Sequence, residues 1–166
     1  YVLATYTITY LDQNGNTLQQ NLSPTTYSYG SSIQLPTPAQ RQGYTFVGWF
    51  DNINFSGSPI TQILPTDFGD KTYYAKFEII TFTIQVIQSQ HGTISPSSNS
   101  YNYGSTVSFT FTADAGYHTQ NLLIDGQIYT DSLTEYTFTN ITQNHTVCAC
   151  FEPNVHVSYT VRHWHE

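Results

Sequence analysis

The feature that most limits what this chain can fold into is that it is written more than once. Tyr6-Thr7-Ile8-Thr9 recurs as Phe82-Thr83-Ile84-Gln85 and again as Tyr159-Thr160-Val161-Arg162, at offsets of 76 and 77 residues. Tyr27-Ser28-Tyr29-Gly30-Ser31 recurs as Tyr101-Asn102-Tyr103-Gly104-Ser105, Gly43-Tyr44 as Gly116-Tyr117, and Tyr74-Ala75-Lys76-Phe77-Glu78 as Cys148-Ala149-Cys150-Phe151-Glu152. Landmarks in constant order at nearly constant spacing mark a repeat architecture, in which each unit is one small assembly stacked on its neighbours. The expected boundaries are a first module over residues 1–80, a second, divergent one over 81–153, and the start of a truncated third over 154–166. The joints are short, Ile79-Ile80 and Pro153-Asn154, which favours a semi-stiff array over freely tumbling beads.

Within a module the apolar periodicity is that of strands. Tyr6, Ile8 and Tyr10 alternate on one face, and so do Tyr73, Ala75 and Phe77. Asn14-Gly15 is a strong hairpin signal, because both residues tolerate positive φ, and Thr17 to Leu22 is read as the returning strand. Pro36 and Pro38 exclude a central strand, because proline cannot donate to a ladder, so the run to Gly43 is a loop. Tyr44 to Phe50 is a strand. Gly48 inside it suggests a bulge, and simple alternation would set Tyr44 and Phe46 on one side and Trp49 on the other. In the second module Asp125-Gly126 joins Leu122-Leu123-Ile124 to Gln127-Ile128-Tyr129, and Thr134–Thr139 and Thr146–Phe151 read as strands. No segment sustains a helical period, so one short helical piece per repeat is the most expected, with Ser31–Leu35 either a strand or a helical turn. The fold class is mainly β, as tandem repeats with little helix.

Composition narrows the partners. Four Lys and Arg stand against eleven Asp and Glu, for a net charge of −7, and the cations are scattered. A nucleic-acid binder needs clustered cations to release counterions, so nucleic acid is not an expected partner, nor is an anionic membrane surface. No apolar run approaches the ~20 residues that span a bilayer, so no membrane insertion is expected. Only 9% of residues are charged, but 16% are aromatic, which is strand composition rather than that of a disordered chain. The two cysteines, Cys148 and Cys150, sit two apart on one strand, where disulfide geometry is poor, and no internal disulfide is expected. The chain begins at Tyr1 and contains no Met, as expected of an excerpt from a longer protein.

The pattern Leu35-Pro36-x-Pro38-x-x-Arg41-x-Gly43-Tyr44-x-Phe46-x-Gly48-Trp49, closing in Tyr74-Ala75-Lys76-Phe77, resembles the Listeria–Bacteroides (internalin B-type B) repeat. The second module is similar to the divergent branch of that group through Gly116-Tyr117, Asp125-Gly126, Tyr136-Thr137-Phe138 and Asn144-His145-Thr146-Val147 leading to Phe151. It departs by lacking the two prolines and by carrying Leu122 where the first module has Trp49. The resemblance implies small β-grasp-like α+β modules, a place in large bacterial surface or secreted proteins, and no catalytic residues.

Several groups invite a chemical reading, each with a plainer one beside it. Asp12-x-Asn14-x-Asn16 has the first half of a calcium-loop spacing, but Thr17 and Ser23 stand where the loop needs a glycine and an acidic ligand, so a hairpin turn fits better. His145-x-x-Cys148-x-Cys150 carries zinc-ligand types, but on one strand that cannot surround a metal. The repeat alignment puts both cysteines on the outer sheet face. His163-Trp164-His165 could bind a metal or a sugar, and reads more simply as the first strand of the third repeat. Trp49, Tyr44 and Phe46 could stack on a glycan, and read more simply as core. Asp67 and Asp70 form a carboxylate pair in a turn. Sequons occur at Asn21, Asn54, Asn140 and Asn144, and matter only in a eukaryotic secretory host.

The expected function is therefore non-catalytic: a stalk or spacer segment of a bacterial cell-surface or secreted protein, extracellular, with neighbouring repeats of the same chain as its partners. The alternative is an adhesin-like module for a host or surface protein or a glycan. No cofactor, metal or catalytic residue is assigned.

Overall fold

The computed structural model describes residues 3–18, 21–130 and 132–155. It divides into two compact units, Tyr1–Ile80 and Thr81–Glu166. Of the stretch read as the start of a third repeat, residues 156–166, with His163, Trp164 and His165, lie outside the described residues.

The first unit contains β1 (Thr5–Leu11), β2 (Thr26–Ser28), β3 (Ile33–Gln34), β4 (Tyr44–Phe50), β5 (Gln62–Ile63) and β6 (Lys71–Ile79). Its main sheet has the order β2-β1-β6-β4. The first and last strands, β1 and β6, run parallel in the middle, with Tyr10 beside Tyr73, and β2 and β4 flank them antiparallel. A small ladder sets Ile33 of β3 opposite Ile63 of β5. Alternation along β1 and β6 turns Ile8, Tyr10, Tyr73 and Ala75 inward, where they pack with Tyr27, Trp49 and Ile63. An aromatic core must satisfy its polar atoms, since an unpaired buried group costs ~1–3 kcal/mol. The Tyr10 hydroxyl donates to the Pro24 carbonyl at 3.0 Å and the Tyr27 hydroxyl to Gly69 at 2.6 Å. The Trp49 indole donates to Pro36 at 2.7 Å.

Three expectations change here. The pairing of β4 with β6 slips between Phe46 and Gly48, so Val47 is an extra residue and the strand changes phase. Phe46 faces Phe77 and Trp49 faces Ala75, both on the inner side, and the Phe46 and Trp49 rings meet edge-on at 5.5 Å. Trp49 is therefore on the same face as Phe46, contrary to simple alternation. The return after Asn14-Gly15 is also shorter than expected. A bridge from Leu11 to Thr17 and one bond from the Leu18 amide to the Tyr10 carbonyl are its pairing among the described residues. The Ile8 amide bonds Thr25, and β2 then takes the edge of β1 over Thr5–Thr7. Finally, no helix occurs among the described residues, and Ser31–Leu35 holds the short strand β3.

The second unit contains β7 (Thr81–Ile87), β8 (Gly92–Ser95), β9 (Asn99–Asn102), β10 (Val107–Ala113), β11 (Tyr117–Ile124), β12 (Gln127–Tyr129), β13 (Glu135–Phe138) and β14 (His145–Pro153). Its main sheet, β12-β11-β14-β7-β9, repeats the first unit's order with β7 and β14 parallel at the centre. β12 is added through the Asp125-Gly126 turn, where both residues have positive φ (51° and 82°). The bulge recurs between Thr119 and Asn121, and the fully buried Leu122 fills the place of Trp49. A second sheet, β13-β10-β8, packs Phe109, Phe111, Ile94 and Phe138 against Ile84, Leu122 and Val147.

The two units also share hydrogen bonds that link elements. Gly30 donates to Pro65 as Gly104 does to Ile141, and Tyr44 to Arg41 as Tyr117 does to Asp114. Ile80 donates to Gly43 as Asn154 does to Gly116. The Thr7 amide donates to Asp70 Oδ1 at 2.7 Å, and the Thr83 amide to Asn144 Oδ1 at 2.8 Å. Side chains differ at most of these places, but the backbone closure is the same.

Candidate functional site

A concavity lies in the first unit where the proline-containing loop over 37–43 turns back beside β4. It is a cleft of about 710 Å³ lined by the loop together with Tyr44, Thr45, Phe46, Phe77 and Ile80, a volume within the range of small-ligand and peptide sites. Pro38 is buried and anchors the loop, while Gly43 supplies its positive φ of 78°. Phe46 and Phe77, 5.4 Å apart, form the apolar floor. Arg41 stands at the rim with its guanidinium carbon 3.9 Å from the centre of the Tyr44 ring, a cation–π stack. The other described cations are engaged: Lys71 with Asp67 at 3.4 Å and Lys76 with Glu78 at 2.7 Å. Arg41 has no ion pair among the described residues.

The corresponding place in the second unit is filled. Asp114 occupies the turn position of Arg41, and its amide donates to the His91 carbonyl. The His91 ring stacks on Tyr117 at 4.1 Å, with the two rings nearly parallel. Gly92 packs so closely on Phe151 that a Cβ would lie 2.5 Å from the ring. The turn leading into β8 therefore covers Tyr117 and Phe151, and Thr119 stands where the first unit has Phe46.

The sequence candidates fall as follows. Asp12 Oδ1 accepts the amides of Asn14 and Asn16, both at 2.8 Å, as the carboxylate of a tight turn. Slight burial opposes its charged form. The amides of Asn16 and Asn14, the Asn16 side chain and the Arg41 charge outweigh this and hold the carboxyl below its ordinary range. Asp67 Oδ2 accepts the Leu64 amide and Asp70 Oδ1 the Thr7 amide, so each carboxylate holds a backbone amide of its own. The Thr7 amide and hydroxyl lower the Asp70 pKa. Strand parity separates His145 from the cysteines. His145 lies on the inner side, against Phe138 and 2.6 Å from Asp125 Oδ2, whereas Cys148 and Cys150 alternate with the buried Val147, Ala149 and Phe151. Both cysteines are free, and no group of three or more His, Cys, Asp or Glu side chains suited to a metal occurs among the described residues. Trp49, 2% exposed, is core and cannot stack on a sugar, and the Tyr44 ring already carries Arg41. The sequon residues Asn21, Asn54, Asn140 and Asn144 are all exposed, although Asn144 also holds the Thr83 amide.

The cleft was missed in the sequence because its floor and wall come from segments some thirty residues apart. The Arg41-x-x-Tyr44 spacing across a glycine turn was the available signal. The His145–Asp125 pair was hidden by reading Asp125 only as a turn residue.

The fold and these sites define a protein built from small, mixed-sheet β modules in tandem. Residues 6–76 match the Listeria-Bacteroides repeat domain and residues 82–155 the Divergent InlB B-repeat domain, and the chain belongs to this repeat group as one member of each kind. It is 33% identical over 79 residues to a protein of Evansella cellulosilytica described as a Gly-rich membrane protein, covering 48% of this chain and 9% of that protein. It is 28% identical over 108 residues to another Evansella cellulosilytica protein described as a membrane protein, covering 61% of this chain and 14% of that one. The chain thus spans only about a tenth of the length of the curated relatives it matches.

Proposed function

We propose that this chain is a non-catalytic stalk or spacer segment of a bacterial cell-envelope protein, exposed outside the cell and carrying another domain away from the surface. The observation that carries the reading is the tandem itself: two family repeats whose strands β6 and β7 are separated by Ile80 alone. So short a joint leaves little freedom for the second module to tumble, which is what a spacer needs. The size of the relatives, and their description as membrane proteins, support a small segment within a large envelope protein. Small-angle X-ray scattering on the chain tests this. An elongated particle with a maximum dimension near two modules end to end is expected. A maximum dimension near that of a single globule would sink the stalk.

An adhesin-like role is the second reading, favoured by the open cleft of the first module. A glycan array and a pull-down against surface proteins discriminate, and blank results on both would leave the spacer alone.

A further inference from the structure

We propose that the cleft of the first module binds an extended acidic peptide, which adds as a strand to the open edge of β4 and places a carboxylate at Arg41. This goes beyond the spacer role, which needs no ligand. Four observations lead to it.

First, β4 is the terminal strand of its sheet. Toward its C-terminal end Trp49 bridges Ile60 on the outer side, but over Tyr44–Phe46 no strand pairs with that side among the described residues. An open edge offers main-chain hydrogen bonds to any extended segment, the basis of recognition by strand addition.

Second, this stretch of edge borders the cleft. Tyr44, Thr45 and Phe46 are lining residues, with Phe46 and Phe77 as an apolar floor that can receive one side chain of the added strand. Strand addition needs this pairing of a backbone edge with a side-chain pocket, because alternate residues of the guest point into the pocket.

Third, the cation at the rim makes no close ion pair, although its charge reaches the Asp12 carboxylate. Arg41 has no ion pair among the described residues, whereas Lys71 and Lys76 each have one. In a chain of net charge −7, a guanidinium without a close ion pair and held in place by a ring is a specific anchor for a carboxylate. The charge selects an acidic guest. The apolar floor and strand edge select a peptide over a sugar, since the one ring at the rim is already covered on a face by Arg41.

Fourth, the second module closes the same place by three separate means: Asp114 at the Arg41 position, His91 stacked on Tyr117, and Gly92 pressed on Phe151. The site is therefore a property of the first module and not of the shared backbone.

The test uses the whole chain and fluorescein-labelled hexapeptides that alternate Val or Phe with Glu, alongside matched peptides carrying Gln or Lys in place of Glu. Fluorescence anisotropy reads affinity, and ¹H–¹⁵N shift perturbation reads position. Saturable binding of the Glu peptides is expected, at least tenfold tighter than of the Gln peptides, with the largest shifts at residues 40–46 and 77. Arg41→Gln is expected to weaken Glu-peptide binding at least tenfold. Arg41→Glu is expected to turn the preference toward Lys peptides, a gain that misfolding cannot produce. No binding at millimolar peptide, equal binding of Glu and Gln peptides, shifts confined to other surfaces, or indifference to Arg41→Glu would each overturn the proposal. So would tight binding of a uronic-acid oligosaccharide with no peptide binding.

Discussion

Gly48 is where the bulge of β4 meets the rest of the first module, and substitution there tests how the module is built. Its φ is +152°, a region L side chains rarely adopt, and a Cβ would lie 2.5 Å from Pro59 Cβ and 3.2 Å from its Cγ. Gly48→Ala therefore brings two costs: backbone strain of ~1–3 kcal/mol and overpacking of ~1–3 kcal/mol against a rigid ring. The sum, about 2–6 kcal/mol, is large beside the ~4–11 kcal/mol expected of a module of this size. Urea unfolding followed by Trp49 fluorescence, in a Trp164→Phe background, reads the first module. With a slope of about 1 kcal/mol per molar, the midpoint should fall by about 2 M or more, or the module should fail to fold. Gly48→Ala/Pro59→Gly removes the clash but not the strain, so a double-mutant cycle should return the overpacking part as coupling of ~1–3 kcal/mol. A loss of under about 0.5 kcal/mol for Gly48→Ala would refute the reasoning. It would mean that β4 relaxes to the bulge of the second module, where Asn121 holds the equivalent position without a positive φ.

Three further outcomes are expected. Burial pushes the hydroxyls of Tyr10 and Tyr73 up to about 12, with the Asp67 charge adding to the effect at Tyr73. Above pH 10 the unfolded chain ionises while the folded one keeps its protons. Stability that is complete below pH 10 is therefore lost between 10 and 12, by up to about 1.4 kcal/mol per pH unit per tyrosine. Urea midpoints from pH 8 to 11.5 should show this fall in the first module, and a flat profile would contradict it. Asp70→Asn should leave the melting temperature of the first module nearly unchanged, because Asn144 makes the same bond with an amide oxygen, while Asp70→Ala should lower it. Equal effects of the two changes would show that charge, not acceptance of the Thr7 amide, is what matters. Cys150, exposed, should react with a thiol reagent faster than the half-buried Cys148, which contacts Ser89, as followed by peptide mapping over time. The reverse order would contradict the assigned faces of β14.

Repetition and alternation carried most of the fold into view. The faces of β1, β6 and β14 could be read from sequence, because a strand buried on one side must alternate, and the repeat alignment then placed Cys148 and Cys150 outward. Gly48 signalled a bulge, but not its consequence. One extra residue inverts the parity of everything after it, so Trp49 joined Phe46 in the core. The edge of β1 was misread for a different reason. Asn14-Gly15 does make a turn, but which segment then claims the neighbouring edge is decided by competition, and the Ile8–Thr25 bond and β2 win it. Arg41 was visible as part of a family pattern, yet the cleft beside it depends on Phe77 from the far end of the module. Contacts of that range have no local signature.

Comparing the two modules separates what the fold requires from what each copy has added. The hydrogen bonds that close the turns before β4 and β11, and those that tie the ends of β6 and β14, are the same in both. Where a side chain makes such a bond, an aspartate in one copy and an asparagine in the other supply an oxygen to the same amide. These contacts tolerate change in charge but not in geometry, which is how a backbone requirement behaves. The surface beside that frame behaves differently. The second module uses its β7–β8 turn to cover Tyr117 and Phe151, has Thr119 where the first has Phe46, and carries a carboxylate in place of the Arg41 cation. Covering an aromatic floor adds buried area to a small module, at ~25 cal/mol per Å² of apolar surface removed from water. The first module forgoes that stabilisation. A spacer gains nothing from leaving an apolar cleft exposed beside an arginine that makes no close ion pair. The asymmetry between two copies on one frame is therefore the strongest reason to look for a ligand in the first.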